Sequence, residues 1–106
     1  MHKKKLLFVC NENLNRSPTA EDLFKGSKKV IAKSCGTNVL ALKRINKHSV
    51  KWADKIFVME QHNKEKIIED FPEAKQKIKV LEVFDLYPHG DSELVEILKK
   101  KLKRYL

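Results

Sequence analysis

Leu6-Leu7-Phe8-Val9-Cys10-Asn11-Glu12-Asn13-Leu14-Asn15-Arg16-Ser17-Pro18 is the stretch that decides how the chain is read. Its first four residues form a continuous apolar run, the pattern of a strand buried on both faces. Its last two give a helix start, with Ser17 expected at the N-cap and Pro18 at the first helical position. Ala20, Leu23 and Phe24 continue that helix at helical spacing as far as Gly26. Between strand and helix lies a short polar loop that begins with a thiol and ends with a guanidinium.

The same alternation runs through the rest of the chain. Val30-Ile31-Ala32 predicts a second strand ending at Ser34-Cys35-Gly36-Thr37, and Asn46 to Ala53 a short helix with Val50 and Ala53 on one side. Ile56-Phe57-Val58-Met59 is a third buried strand. Gln61 to Phe71 reads as a helix with Ile67, Ile68 and Phe71 inward, stopped by Pro72. Ile78 to Val83 is a fourth strand. Asp91 to Tyr105 is an amphipathic helix, its Leu94, Leu98, Leu102 and Tyr105 on one stripe, acids leading and lysines trailing as the helix dipole favours. Four apolar strands alternating with helices predict an α/β fold, a small doubly wound parallel four-stranded sheet with helices on both faces and right-handed crossovers. Ligands bind such sheets beyond the carboxyl ends of the strands, which singles out residues 10–17, 34–38, 59–62 and 84–91.

Composition narrows the function classes. With 106 residues the chain is expected to form one domain over 1–106, because either half alone would be too small to hold a core. The 42% hydrophobic content is near the globular average, which argues against wholesale disorder. No apolar run approaches the roughly 18 residues of a membrane helix, and Leu6 to Val9, after the basic start Met1-His2-Lys3-Lys4-Lys5, is too short for a signal sequence. A soluble, cytoplasmic protein is expected. The net charge of +9 sits entirely in the first half, where residues 1–53 hold 12 basic and 3 acidic side chains against 11 of each in residues 54–106. Such a half attracts nucleic acid, an anionic membrane or a small anionic substrate, or it is a solvated lysine-rich surface. Two cysteines make no disulfide framework. Cys10, Cys35, His2, His48, His62 and His89 show no ligand spacing, so neither metal nor cofactor is expected.

The loop from Cys10 to Ser17 has the form Cys-x5-Arg, and phosphoryl transfer to a thiol would use every part of it. A loop of this length curls so that the backbone N–H groups of Asn11, Glu12, Asn13, Leu14, Asn15, Arg16 and Ser17 converge with a helix N-terminus as an anion cradle. The same positive field favours thiolate over thiol at Cys10. The planar fork of Arg16 can hold two phosphate oxygens. Ser17 can donate a hydrogen bond to the sulfur when it departs. The plain alternative is a small buried Cys10 at a strand end and a surface charge at Arg16.

These residues resemble a known family. Leu7-Phe8-Val9-Cys10, Asn13, and Arg16-Ser17-Pro18-Thr19-Ala20-Glu21 look like the signature of the low-molecular-weight protein tyrosine phosphatases. The likeness continues weakly through Ser34-Cys35-Gly36-Thr37 and Ala53 to Met59. The resemblance implies a flavodoxin-like sheet of order 2-1-3-4 and hydrolysis of phosphomonoesters, protein phosphotyrosine above all, through a cysteinyl-phosphate. It implies Cys10 as nucleophile, Arg16 as phosphate ligand and Asn13 as a brace within the loop. Val83-Phe84-Asp85-Leu86-Tyr87 matches the family's Asp-Pro-Tyr loop, which makes Asp85 the expected general acid and Tyr87 the aromatic of the substrate pocket. In a 2-1-3-4 sheet the fourth strand lies about 10 Å from the first, so residues 84–91 must lean across the third strand. Glu60 and His62 start nearer and are rivals, though a helix N-terminal acid and a solvated histidine are the preferred readings of the two.

Departures from the family pattern also matter. The chain is shorter, and between the second and third strands only Asn38 to Asn46 remains of a cleft wall. Glu12 stands where glycine is common, so its carboxylate must turn away from a bound dianion. Asn15 replaces a second cysteine and Leu86 the loop proline. Leu14 approximates the isoleucine of the tyrosine branch rather than the threonine of the phosphoarginine branch. An arsenate reductase would need late cysteines, and none follows Cys35. A non-catalytic phosphate- or nucleic-acid-binding module would use Lys3–Lys5, Lys99–Lys101, Lys103 and Arg104, but no aromatic platform accompanies them. Expected partners are therefore a phosphorylated protein or small aryl phosphate, with nucleic acid disfavoured and no membrane. Cys35 reads as a strand-end residue, able to pair with Cys10 only at close Cα approach. Trp52 reads as core packing and His48 as a surface or capping residue.

Overall fold

The computed structural model describes residues 3–106, so His2 and the first residue of the basic start lie outside the described residues. Strands β1 (Lys4–Cys10), β2 (Val30–Gly36), β3 (Lys55–Val58) and β4 (Ile78–Val80) form one parallel sheet in the order β2-β1-β3-β4. The helices are α1 (Arg16–Asp22), α2 (Lys47–Trp52), α3 (Gln61–Asp70) and α4 (Ser92–Leu102), with a 3-10 helix over Pro72–Lys77. The α/β class and strand order are those expected from the sequence. Among the described residues no helix is long and apolar enough to cross a membrane.

Side chains alternate across a strand, so the apolar run of β1 feeds two cores. Leu6, Phe8 and Cys10 join Phe57, Met59, Leu81, Val83, Leu94, Leu98 and Leu102 on the face covered by α1 and α4. Leu7 and Val9 join Cys35, Val50, Ile56, Val58 and Ile67 on the face covered by α2 and α3. A row of rings ties the first core together, with Phe8 stacked on Phe24 and Phe57 at 5.8 and 5.6 Å and Phe57 against Tyr105 at 5.4 Å. Each such pair contributes about 0.5–1.5 kcal/mol beyond its burial. Trp52 is half-buried against the second core with Lys33 Nζ 4.5 Å from its ring centre, and His48 is exposed.

Several boundaries move, each for a visible reason. The first helix begins at Arg16 with Asn15 at its N-cap, so Ser17 and Pro18 sit inside the first turn instead of at its start. The Ser17 hydroxyl is thereby released from capping and turned into the loop. The helix ends at Asp22, short of Gly26. The fourth strand stops at Val80, not Val83, because Glu82 takes a left-handed φ of 59° that a period-two pattern cannot reveal in a non-glycine residue. The N–H groups of Leu81 and Val83 still reach Val58 O and Met59 O at 2.8 Å, which carries the chain along β3 toward the β1 end. The last helix closes at Leu102, and Tyr105 packs just beyond it.

Candidate active site

Residues 10–17 join β1 to α1, and their shape is fixed from inside. Asn13 has a left-handed φ of 60°, which asparagine tolerates, and its Nδ2 donates to Ser17 Oγ at 2.9 Å. Ser17 Oγ lies 3.0 Å from Cys10 Sγ and 3.2 Å from Cys35 O. A hydroxyl has one proton, and because Asn13 occupies an acceptor position, that proton is free for Cys35 O or the Cys10 sulfur. An ionised sulfur draws it as a charge-assisted donor. Among the described residues the backbone N–H groups of residues 12–17 have no protein acceptor, so they remain available to an anion.

Arg16 is 1% exposed and the largest fully buried side chain. Its Nη1 donates to Glu60 Oε2 at 2.6 Å and to Val83 O at 2.7 Å, which uses both Nη1 protons. The Nε–H and Nη2 protons are left as a side-on fork for a phosphate. Asp85 Oδ1 sits 3.7 Å from Nε. Residues 84–91 therefore lean across β3 as the strand order requires, and Asp85 lines the same small cleft, about 130 Å³, as Cys10, Glu12, Leu14, Asn15 and Arg16. Glu12 does not point its carboxylate at the cradle's centre: Asn38 Nδ2 holds Oε1. Tyr87 is not among the cleft-lining residues. It packs half-buried against the first core, where its ring gains contact area, and Phe84 and Leu86 are the exposed apolar residues of this loop.

The short segment after β2 is laced to the loop from outside. Thr37 N–H reaches Cys10 O, Asn38 N–H reaches Asn11 O, and Leu42 N–H reaches Glu12 O, all at 3.0 Å. This approach needs glycine at position 36, where a Cβ would lie 2.5 Å from Asn11 O and 2.7 Å from Ala41 Cβ. Ser34 Oγ donates to Glu21 Oε1 at 2.5 Å, joining the second motif block to the first.

One site residue, Asn63, escapes a reading by sequence alone, and the role of another, Glu60, differs from the one weighed for it. Asn63, fully buried in the first turn of α3, accepts from Glu60 N–H at 3.0 Å and donates to Asn11 Oδ1 at 2.8 Å and Thr37 Oγ1 at 3.2 Å. Glu60 is both the N-cap of α3 and the counter-ion of Arg16, so one position serves as helix-terminal acid and as site residue. A polar residue three places after a cap was the available signal for Asn63, but that pattern suits any helix start. His62 Nε2 donates to Asn11 Oδ1 at 2.6 Å from an exposed position and stands 4.0 Å from Glu60 Oε2.

Cys35 faces away from the cleft. It pairs in register with Val9, so its side chain joins the second core while that of Cys10 joins the first, and both are free thiols. Burial, reinforced by the charge of Cys10 and opposed by Lys43, pushes the Cys35 thiol up to about 12. Among the described residues no group of three or more His, Cys, Asp or Glu side chains is disposed to hold a metal ion.

Neither a family model nor a curated protein matches the sequence. Solved structures do match it in fold, at low identity and over nearly the full length of both chains. The low-molecular-weight protein tyrosine phosphatase SP-PTP of Streptococcus pyogenes is 21% identical, with a TM-score of 0.79, over 97% of this chain and 93% of its own. The tyrosine phosphatase Wzb of Escherichia coli K30, in complex with phosphate, is 22% identical with a TM-score of 0.77, over 98% and 96%. The YwlE arginine phosphatase of Geobacillus stearothermophilus is 24% identical with a TM-score of 0.73, over 95% and 92%. The chain has the fold of the low-molecular-weight protein tyrosine phosphatases.

Proposed function

We propose that the chain is a cysteine-dependent phosphatase that hydrolyses phosphomonoesters through a cysteinyl-phosphate, with protein phosphotyrosine as the principal substrate. The observation that carries this reading is the meeting of Cys10, buried Arg16 and Asp85 on one cleft beside the free N–H groups of residues 12–17.

Cys10 thiolate attacks phosphorus as the bond to the leaving oxygen breaks, and Asp85 gives that oxygen its proton. The backbone amides of Asn11 to Ser17 and the free edge of Arg16 hold the non-bridging oxygens, where charge stabilisation contributes most of the rate. Water then attacks phosphorus, its proton passes to Asp85, and the S–P bond breaks to give inorganic phosphate. Ser17 O–H, 3.0 Å from Sγ, stabilises the thiolate that leaves. Glu60 neutralises Arg16 without occupying its phosphate-facing edge. Exposed Leu14 on the cleft wall supports an aromatic phosphoester, since it offers a ring an apolar surface and no hydroxyl.

Hydrolysis of a small aryl phosphate from mildly acidic to neutral pH tests the reading, wild type beside Cys10→Ser. Turnover in the first and none in the second supports it. If neither turns over while both bind phosphate or vanadate, the cradle is a phosphate-binding module instead.

A further inference from the structure

Asn15, Thr19 and Asp22 fall at i, i+4 and i+7, one stripe of α1. All three are bonded to the far end of the loop that carries Asp85. Asn15 Oδ1 accepts from His89 N–H at 3.1 Å, Thr19 Oγ1 from Gly90 N–H at 2.9 Å, and Asp22 Oδ2 lies 2.7 Å from His89 Nε2. Asn15 is the N-cap of α1 yet makes no side-chain cap bond. An N-cap asparagine ordinarily contributes about 1 kcal/mol by accepting from the first turn. Here that acceptor is spent on a residue 74 positions away. Thr19 reinforces the arrangement by donating its own proton to Asn15 O at 2.7 Å. Gly90 supplies the left-handed φ of 79° that turns the chain from these contacts into α4, which Asp91 caps through Glu93 and Leu94 N–H.

The other end of the loop is fixed as well, by Val83, whose N–H reaches Met59 O and whose carbonyl accepts from Arg16. Asp85 stands between the two anchors, on a stretch with exposed Phe84 and Leu86. We propose that Asn15, Thr19 and Asp22 form with His89 and Gly90 a clasp that sets Asp85 over Cys10, which makes Asn15 and His89 positioning residues for the general acid. The proposal rests on the phosphatase reading. It gives Asn15 a task of its own, since the phosphate loop and the acid loop are joined directly through its side chain.

A misplaced acid is felt most where the leaving oxygen most needs a proton. The test compares phenyl phosphate, a poor leaving group, with 2,4-dinitrophenyl phosphate, a good one, in Asn15→Ala, His89→Ala and Asp22→Ala. A clasp predicts a loss in kcat/KM, which reports phosphoryl transfer to Cys10 before the water step that both esters share, of about 10- to 100-fold on phenyl phosphate and under about 3-fold on the dinitrophenyl ester. Asn15→Asp, which keeps the acceptor, restores most of the rate on phenyl phosphate. Equal losses on both esters, or no loss on either, overturn the clasp while leaving the phosphatase reading intact. A wild type that cleaves neither ester overturns the phosphatase reading itself. Amide exchange then decides the contacts independently: His89 and Gly90 N–H are slow in the wild type, and His89 N–H becomes fast in Asn15→Ala. Fast exchange at both in the wild type overturns the clasp.

Discussion

Residues 10–17 turn Asn13, Arg16 and Ser17 inward to near-complete burial and are bonded from β2, α3 and the segment after β2. Residues 84–86 lie in the open, with Phe84 69% and Leu86 72% exposed and the Asp85 side chain 54% exposed, and their loop is gripped at its two ends. The two loops share one cleft and, on the proposed mechanism, divide its labour. A cradle must hold its amides converged before an anion arrives, because ordering them afterward would consume binding energy. An acid needs only to reach one oxygen, and it can stand on a loop that yields to a substrate. The residues that brace the phosphate loop should therefore couple activity to stability, whereas the Cys10 side chain and the acid loop should affect activity alone.

Cys10→Ser breaks the comparison most severely. Removing a nucleophile costs roughly 10⁴- to 10⁶-fold in kcat, and here that loss is expected with an unchanged melting temperature, because serine fills nearly the same volume. Asp85→Asn comes next, with about 10²- to 10⁴-fold lost on a poor leaving group. Its thermal unfolding should match the wild type, since the side chain is half in solvent. Asn63→Ala sharpens the contrast from the other side. It leaves Thr37 Oγ1 and Glu60 N–H without a partner and Asn11 Oδ1 with His62 alone, and each buried group so stranded costs about 1–3 kcal/mol. Urea unfolding should register that loss together with a fall in kcat, whereas Asp85→Asn moves only the second.

Cys35 gives the smallest effect at neutral pH and a clear one in alkali. The folded protein holds this thiol proton more tightly than the unfolded chain, about 12 against 9.0. Its contribution is therefore fully present below pH 9 and is lost as pH rises through 12. A difference of that size corresponds to at most about 4 kcal/mol. Unfolding measured from pH 8 to 11.5 should fall less steeply for Cys35→Ala than for the wild type.

How much of this could be read from the residues follows the range of the interactions. The apolar run Leu6 to Val9, the helix-spaced leucines 94, 98 and 102, and the loop between Cys10 and Ser17 are local patterns, and they lead to the sheet and the cradle. The bonds of Asn63 and Glu60 span 26 to 52 residues, and no spacing rule connects such positions. Ser17 reads as a cap because serine before proline usually is one. The cap passes to Asn15 because the hydroxyl serves the loop. Leu81 and Val83 keep the alternation of a strand after the ladder has ended at Val80, since burial sets that pattern whether or not both edges are paired. Tyr87 matches the family's aromatic by position, yet side-chain direction in an irregular loop follows packing rather than alignment.

The central claim, that the two loops act on one phosphorus, is tested most directly by trapping the proposed cysteinyl-phosphate. Wild type and Asp85→Asn would be mixed with an aryl phosphate, quenched under denaturing conditions within milliseconds, digested and subjected to mass spectrometry. The account predicts one phosphoryl group on the peptide carrying Cys10 in both proteins, formed more slowly in Asp85→Asn, and none in Cys10→Ser. Phosphate release by the wild type with no phosphoryl group on Cys10, or with one on another residue, would contradict it.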